Sequence, residues 1–158
     1  VMALTKVIGA GIGTVTNQFA DANMSAGSII QNVQNFHTTA VETTTGGTYV
    51  DTGLTASITP TSSSSKILIT FTVHSFITSS LGAGGLHLVR GSTSLRDFGY
   101  GGYFGSTTGQ YTNTHQYLDS PSTTSATSYK VQFYTNGYRL ICQYSGMVST
   151  MTLQEVAQ

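Results

Sequence analysis

The chain has 158 residues, with six basic and six acidic side chains, no net charge and a charged fraction of only 8%. A nucleic-acid-binding protein needs a basic patch that neutralises phosphates, and six scattered cations do not form one, so no nucleic-acid partner is expected. No apolar run reaches the ~18 residues of a membrane-spanning helix, so no membrane insertion is expected, and the low charge predicts that part of the surface is buried in an oligomer.

Residues 1–26 show neither a strand pattern nor a helix pattern. Their glycines in KVIGAGIG lack the last glycine of a dinucleotide-binding motif and are not followed by helical periodicity. We therefore interpret this segment as an extended attachment arm that docks on another protein. Residues 27–158 are predicted to form one domain, a β-sandwich.

Short alternating runs begin at Ser28. SIIQNVQNF and TTAVETT predict two strands, and GGTYVDTGLTASITP predicts a strand that is kinked near Asp51 to Gly53 and stops at Pro60. A TSSSS loop then leads into KILITFTVHSF, the clearest strand of the chain. In it apolar and mostly polar residues alternate, which predicts one buried face and one polar face.

The second half of the chain continues this pattern. GLHLVRG and TSLRDFG predict a hairpin with its turn at Gly91-Ser92, whereas GYGGYFGSTTGQYTNT has no periodicity and is interpreted as a long loop over residues 99–116. SYKVQFYT and YRLICQY flank Asn136-Gly137, which predicts a second hairpin, and STMTLQEVA predicts the last strand.

No helix is needed, so the sequence predicts an all-β fold. Strands of this number and length form a sandwich or a barrel, and within that class we favour a jelly-roll-like antiparallel β-sandwich. The predicted core residues occupy the period-two positions of these strands: Ile67, Ile69, Phe71, Val73, Val131, Phe133, Leu140 and Leu153.

The sequence contains no motif for catalysis, so no catalytic residue, metal site or cofactor is predicted. The four histidines and the carboxylates are spread over different elements, whereas a metal site needs three or four converging donors. His115 and Asp119 are the only close polar pair, and we interpret them as a hydrogen bond that stabilises a turn. Cys142 lies in an alternating run and is interpreted as a small buried hydrophobe.

The candidate recognition or interface loop consists of aromatic residues set among glycines. Tyrosine offers a large contact area at low entropy cost, and glycine lets the backbone adapt, a composition typical of recognition loops. The same rings could instead pack over a sheet edge or against a neighbouring subunit. The members of this loop are Tyr100, Tyr103, Phe104, Tyr111 and His115.

Several ordered blocks, LVRGSTSL, YLDSPSTTSATSYKVQ and STMTLQEVAQ, together with TGLTASITPTSSSSKILITFTV, resemble a group of bacteriophage virion proteins. These proteins occur in phages of marine bacteria and cyanobacteria, as C-terminal domains of tail fibres and as small stand-alone structural proteins. The resemblance covers residues 28–158 and brings no catalytic motif with it. It implies a trimeric, jelly-roll-like component of the virion, assembled in the host cytoplasm.

The leading functional hypothesis is a non-enzymatic fibre or tip protein, a homotrimer that presents loops to a host surface glycan or protein. Its N-terminal arm would bind other virion proteins. A capsid decoration protein, with the arm lying across capsid subunits, is the nearest alternative. A carbohydrate-binding module, with an aromatic platform backed by a few polar groups, is a third hypothesis from a different class.

Overall fold

The computed structural model describes residues 24–78, 81–103 and 109–158, which form two antiparallel β-sheets. The predicted all-β sandwich is confirmed, and no helix long and apolar enough to span a membrane occurs in these ranges. Tyr144–Gly146 forms a short 3-10 turn. The strands are β1 (Ile29–His37), β2 (Val41–Thr43), β3 (Val50–Ile58), β4 (Lys66–Ile77), β5 (Ala83–Arg90), β6 (Thr93–Tyr103), β7 (Gly109–Asp119), β8 (Thr127–Thr135), β9 (Leu140–Cys142) and β10 (Ser149–Val156).

The first sheet is built around β4. β7 pairs with one side of β4 over residues 67–77, while on the other side β10 pairs with residues 66–72 and β9 with residues 75–77. β1 and β2 lie outside β10 and β9, respectively. The second sheet has the order β3-β8-β5-β6.

The core lies between the two sheets. Every second side chain of β4 is buried, as the alternation in its sequence predicts, and all eight predicted core residues belong to the same buried cluster. Burying one such side chain is worth about 1.5–3 kcal/mol, so the β4 pattern alone strongly disfavours a one-residue shift in register. Leu54, Leu88, Tyr129 and Met151 complete the centre of the cluster.

Two predicted backbone features are confirmed. The β5–β6 hairpin turns at Gly91-Ser92, where Gly91 has a φ of +57°. The kink in β3 is a break in its register with β8 between Asp51 and Thr55, centred on Gly53 with a φ of +83°. Glycine adopts this left-handed conformation without the steric cost of a side chain.

The predicted hairpin at Asn136-Gly137 is wrong. The chain does turn there, with a Gly137 φ of +109°, but β8 belongs to the second sheet and β9 to the first. Asn136 is engaged elsewhere, because its Oδ1 accepts a hydrogen bond of 2.9 Å from the Ala83 N–H at the start of β5. All of β9 is buried, including Cys142, and burial raises the pKa of that thiol. The interpretation of Cys142 as a buried hydrophobe is confirmed.

Candidate functional site

The aromatic residues predicted to form a recognition loop lie largely in strands. Tyr100 and Tyr103 are part of β6, opposite Gly85 and Ala83, and Phe104 lies outside the described residues. The prediction of one long loop over residues 99–116 is therefore wrong at both of its ends. Glycines interrupt the side-chain alternation here but do not prevent the backbone from pairing, since a ladder uses main-chain groups only.

β7 accounts for the other two predicted site residues, Tyr111 and His115. Both point inward, and Tyr111 packs against the core. The His115 ring stacks on Phe98 at a centroid distance of 4.3 Å and lies 5.6 Å from the ring of Phe71. Among the described residues its Nε2 is buried without a hydrogen-bond partner, and burial lowers the pKa of the imidazole. Tyr111 and His115 therefore lie in a strand and not in a loop, and their side chains face the interior of the sandwich.

The predicted hydrogen bond between His115 and Asp119 is also wrong. Asp119 is the last residue of β7, and its side chain points into the protein. Its Oδ2 accepts hydrogen bonds from Arg90 Nη1 at 2.7 Å and from the Tyr129 hydroxyl at 2.8 Å. Burial together with the bond to Asp119 raises the pKa of Tyr129. The hydrogen bonds of Asp119 to Arg90 and Tyr129 therefore stabilise one end of the core and not a turn.

A different group of polar and aromatic residues converges on the outer face of the second sheet. Asp51, Gln132, His87 and Asp97 lie directly opposite one another on β3, β8, β5 and β6, in one row across the sheet. We call this row, together with Tyr49, Lys130 and Tyr134, the Tyr49 cluster.

Directional hydrogen bonds connect the middle of the row. Gln132 Nε2 donates to Asp51 Oδ1 at 2.7 Å, which leaves Gln132 Oε1 facing His87 Nδ1 at 3.2 Å. Because an amide oxygen only accepts, His87 Nδ1 is the donor of this bond, and His87 Nε2 is hydrogen-bonded to the Ser94 hydroxyl at 2.7 Å. Lys130 Nζ donates to Asp51 Oδ2 at 2.8 Å. The orientation of each side chain is therefore set by its neighbour.

Two aromatic side chains, Tyr49 and Tyr134, lie beside the end of the row that Asp97 forms. The Tyr49 hydroxyl donates to Asp97 Oδ2 at 2.7 Å, and the Tyr49 ring lies 4.5 Å from the ring of His87 and 5.1 Å from that of Tyr134. The position of the Tyr134 ring requires a glycine at Gly85, because a Cβ there would lie 2.5 Å from the Tyr134 hydroxyl. Tyr49 is 43% exposed although its position is restrained.

The break in the register of β3 opens a depression beside the cluster. It has a volume of about 180 Å³ and is lined by Asp51, Gly53, Leu54, Thr55, Lys130 and Val131. Burial raises the pKa of Asp51, but hydrogen bonds from Lys130 and Gln132 outweigh that effect and leave the pKa below its usual value. Asp51 is therefore an anion at neutral pH.

The outer face of the first sheet differs in character. The pattern Thr-x-Thr occurs on β10, β4 and β7, and cross-strand bonds such as Thr72 Oγ1 to Thr114 Oγ1 at 2.8 Å connect the strands. Of the outward positions on β1, β10, β4 and β7, only Lys66 at the beginning of β4 is charged. We call this surface the threonine face; it comprises Asn32, Gln34, Phe36, Lys66, Leu68, Thr70, Thr72, His74, Phe76, Gln110, Thr112, Thr114, Gln116, Leu118, Thr150, Thr152, Gln154 and Val156.

Sequence reasoning missed both surfaces. The members of the Tyr49 cluster are spread over residues 49–134, and each is unremarkable in its own strand. Only the Thr-x-Thr repeats were visible as a signal in the sequence, and their common orientation depends on the register of three strands.

The described residues contain no group of three or more His, Cys, Asp or Glu side chains that could hold a metal ion. Comparison of the chain with models of known protein families and with curated proteins found no match.

Proposed function

We propose that the protein is a non-enzymatic structural component of a bacteriophage virion, a homotrimer of jelly-roll domains that presents a recognition surface. Its strand order supports the jelly roll. If β1 with β2, and β9 with β10, are each counted as one bent strand, the eight resulting strands run 1-8-3-6 in one sheet and 2-7-4-5 in the other. This is the order that two nested Greek keys generate.

The observation that carries the proposal is the threonine face. An exposed sheet face normally includes lysine or glutamate, which keep the protein soluble and discourage association. Here Lys66, at the beginning of β4, is the only charged residue among the outward positions of β1, β10, β4 and β7, whereas the outer face of the second sheet carries Asp51, Asp97 and Lys130. A broad face of hydroxyl, amide and apolar groups is complementary to another uncharged face, so we assign it to contacts between copies of this chain, closed by a three-fold axis.

A charge introduced into the threonine face tests this assignment. Thr72 lies in its middle, between Thr150 and Thr114, so Thr72→Lys would bring three unpaired ammonium groups into the interface of a trimer. Burying an unpaired charge costs several kcal/mol. Light scattering should therefore give a mass of three times the chain's 16.7 kDa for the wild type and 16.7 kDa for the variant.

Thr55→Lys is the matched control, because Thr55 is an exposed threonine on the outer face of the other sheet. It should remain trimeric, and both variants should keep the circular dichroism spectrum of the wild type. A wild type that is monomeric at micromolar concentration would contradict the trimer. A trimer unaffected by Thr72→Lys would place the subunit interface elsewhere.

Within a virion, residues 1–26 would attach the domain to other particle proteins, while the second sheet faces outward. Gold-labelled antibodies against this chain, applied to intact phage particles, test the proposal directly. Labelling of tail fibres or their tips is expected. Labelling of the capsid instead would assign the protein to capsid decoration, and particles without any label would contradict a virion role.

A further inference from the structure

We propose that the Tyr49 cluster binds a neutral oligosaccharide, whose sugar rings lie across the second sheet from Tyr49 to the depression beside Lys130. This inference deepens the proposed recognition role and rests on it. The geometry combines three features that sugars require: an exposed aromatic ring, oriented polar groups and a concave site next to them.

The exposed aromatic ring is the side chain of Tyr49. Sugars present apolar C–H faces that pack on aromatic side chains, and such a contact is tightest when the ring does not have to be ordered on binding. Tyr49 is 43% exposed, yet its hydroxyl is hydrogen-bonded to Asp97 and its ring contacts His87 and Tyr134. It is therefore an exposed platform with a preset orientation.

The polar groups lie at a distance that suits a chain of sugar rings. Tyr49 contacts His87 on β5, and Asp51 lies two strands further along the row. Neighbouring strands are about 4.8 Å apart, so the row from Asp97 to Asp51 spans roughly 14 Å. This length corresponds to an oligosaccharide and exceeds a single sugar ring.

Asp51 and Lys130 can pair with hydroxyl groups without giving up their present partners. Each Asp51 oxygen accepts one hydrogen bond, whereas a carboxylate has about four acceptor positions, and the side chain is 53% exposed. The ammonium group of Lys130 has three N–H donors, one of which is directed at Asp51. A carboxylate that accepts and an ammonium that donates suit adjacent hydroxyl groups, each of which is both donor and acceptor.

The depression next to these groups is about 180 Å³ in volume. That is about six times the ~30 Å³ that a water molecule occupies in the liquid, so a sugar ring would displace several waters there. Leu54 contributes little to its surface, because its side chain is only 1% exposed and packs into the core. The side chains that a ligand can reach there are the polar ones of Asp51, Thr55 and Lys130.

The charges of the cluster select for neutral sugars. Asp97 accepts hydrogen bonds from Tyr49, Tyr134 and the Gly99 N–H, and Asp51 accepts from Lys130 and Gln132. Asp51, Asp97 and Lys130 together carry two negative charges and one positive charge. Uronic and sialic acids would meet like charge here, which costs binding free energy and slows association.

The test uses the full-length wild-type protein on an array of neutral and acidic bacterial oligosaccharides. The wild type should bind neutral oligosaccharides, and Tyr49→Ala should weaken that binding about tenfold or more, as loss of an aromatic anchor does. Tyr49→Phe keeps the ring and should retain most of the affinity. Tyr138→Ala is the matched control, since Tyr138 is 37% exposed and lies outside the cluster, and it should bind like the wild type.

A wild type that binds only acidic sugars, or none of the array, overturns the inference. The same holds if Tyr49→Ala binds neutral sugars as tightly as the wild type. Should Tyr49→Ala fail to fold, Asp51→Asn replaces it, because this exposed side chain can change without loss of the core; unchanged binding by that variant would also overturn the site. Sugar binding and particle labelling are separate measurements, so a labelled virion protein that ignores sugars overturns this inference alone, and a sugar-binding protein absent from particles overturns the virion role alone.

Discussion

Leu153→Ala is expected to destabilise the domain by about 2–5 kcal/mol, the largest effect that we predict for a single substitution. Leu153 lies in β10, paired with Ile69 on β4 and Val33 on β1, and its exposure is 0%. Its removal leaves a cavity that neighbouring strands on both sides prevent from collapsing. Urea unfolding followed by circular dichroism measures the loss.

Leu81→Ala removes the same atoms from a leucine that is 62% exposed. Its cost should remain within about 0.5 kcal/mol, as is usual for surface positions. Equal losses from both variants would mean that the two sheets do not pack against each other around β10 as described, and the fold itself would be wrong.

Glu155→Gln is expected to cost roughly 3 kcal/mol, because it removes a buried carboxylate that holds three segments together. Glu155 Oε1 accepts hydrogen bonds from the Thr61 N–H at 2.7 Å and the Thr61 hydroxyl at 2.8 Å, and Oε2 accepts from Gln31 Nε2. These partners lie in the connection from β3 to β4 and in β1. The glutamine of the variant has an NH2 group in place of one carboxylate oxygen. That group would face the donors of either Thr61 or Gln31, with which it cannot form a hydrogen bond. Chemical unfolding of the wild type and the variant at pH 7 measures the difference in their free energy of unfolding.

Glu42→Gln is the control for this change. Glu42 forms an exposed ion pair with Arg139, in which its side chain is 53% exposed, and such pairs contribute about 0–1 kcal/mol. If the two variants lose equal stability, the hydrogen bonds to Glu155 carry no net stabilisation.

The pH dependence of the same carboxylate provides an independent check. Burial raises the pKa of Glu155, but hydrogen bonds from Gln31, Ser65 and Thr61 outweigh it, so the folded-state pKa lies below the 4.5 of the unfolded chain. The unfolded state therefore binds the proton more readily, and the stabilisation is present above pH 4.5 and is lost as the pH falls through the folded-state pKa. The difference in the free energy of unfolding between the wild type and Glu155→Gln should therefore become smaller as the pH falls through that range.

Local pattern predicted the strands whose two faces differ. The period-two alternation of β4 identified Ile67, Ile69, Phe71 and Val73 as core residues without any knowledge of their partners. β10 was found in the same way. Turn residues were informative where glycine is needed for a positive φ, as at Gly53 and Gly91.

Prediction failed where a residue's role depends on a distant segment. Asn136-Gly137 has the composition of a hairpin turn, but the completely buried β9 pairs with β4 and β2, in the sheet opposite to β8. Likewise β7 has tyrosine, asparagine and histidine on its inward face, so it lacks the apolar alternation that marks a strand. It forms a strand because its backbone pairs with β4.

The sequence by itself determined that this protein is an all-β sandwich with little charge, because alternation and composition act on each strand locally. Only the tertiary structure decided which surfaces exist. The register of β10, β4 and β7 aligns their threonines on one face, and the register of β3, β8, β5 and β6 brings Asp51, Gln132, His87 and Asp97 into one row. Strand pairing joins residues far apart in the chain, and it is selected by burial of the whole core and not by any single segment.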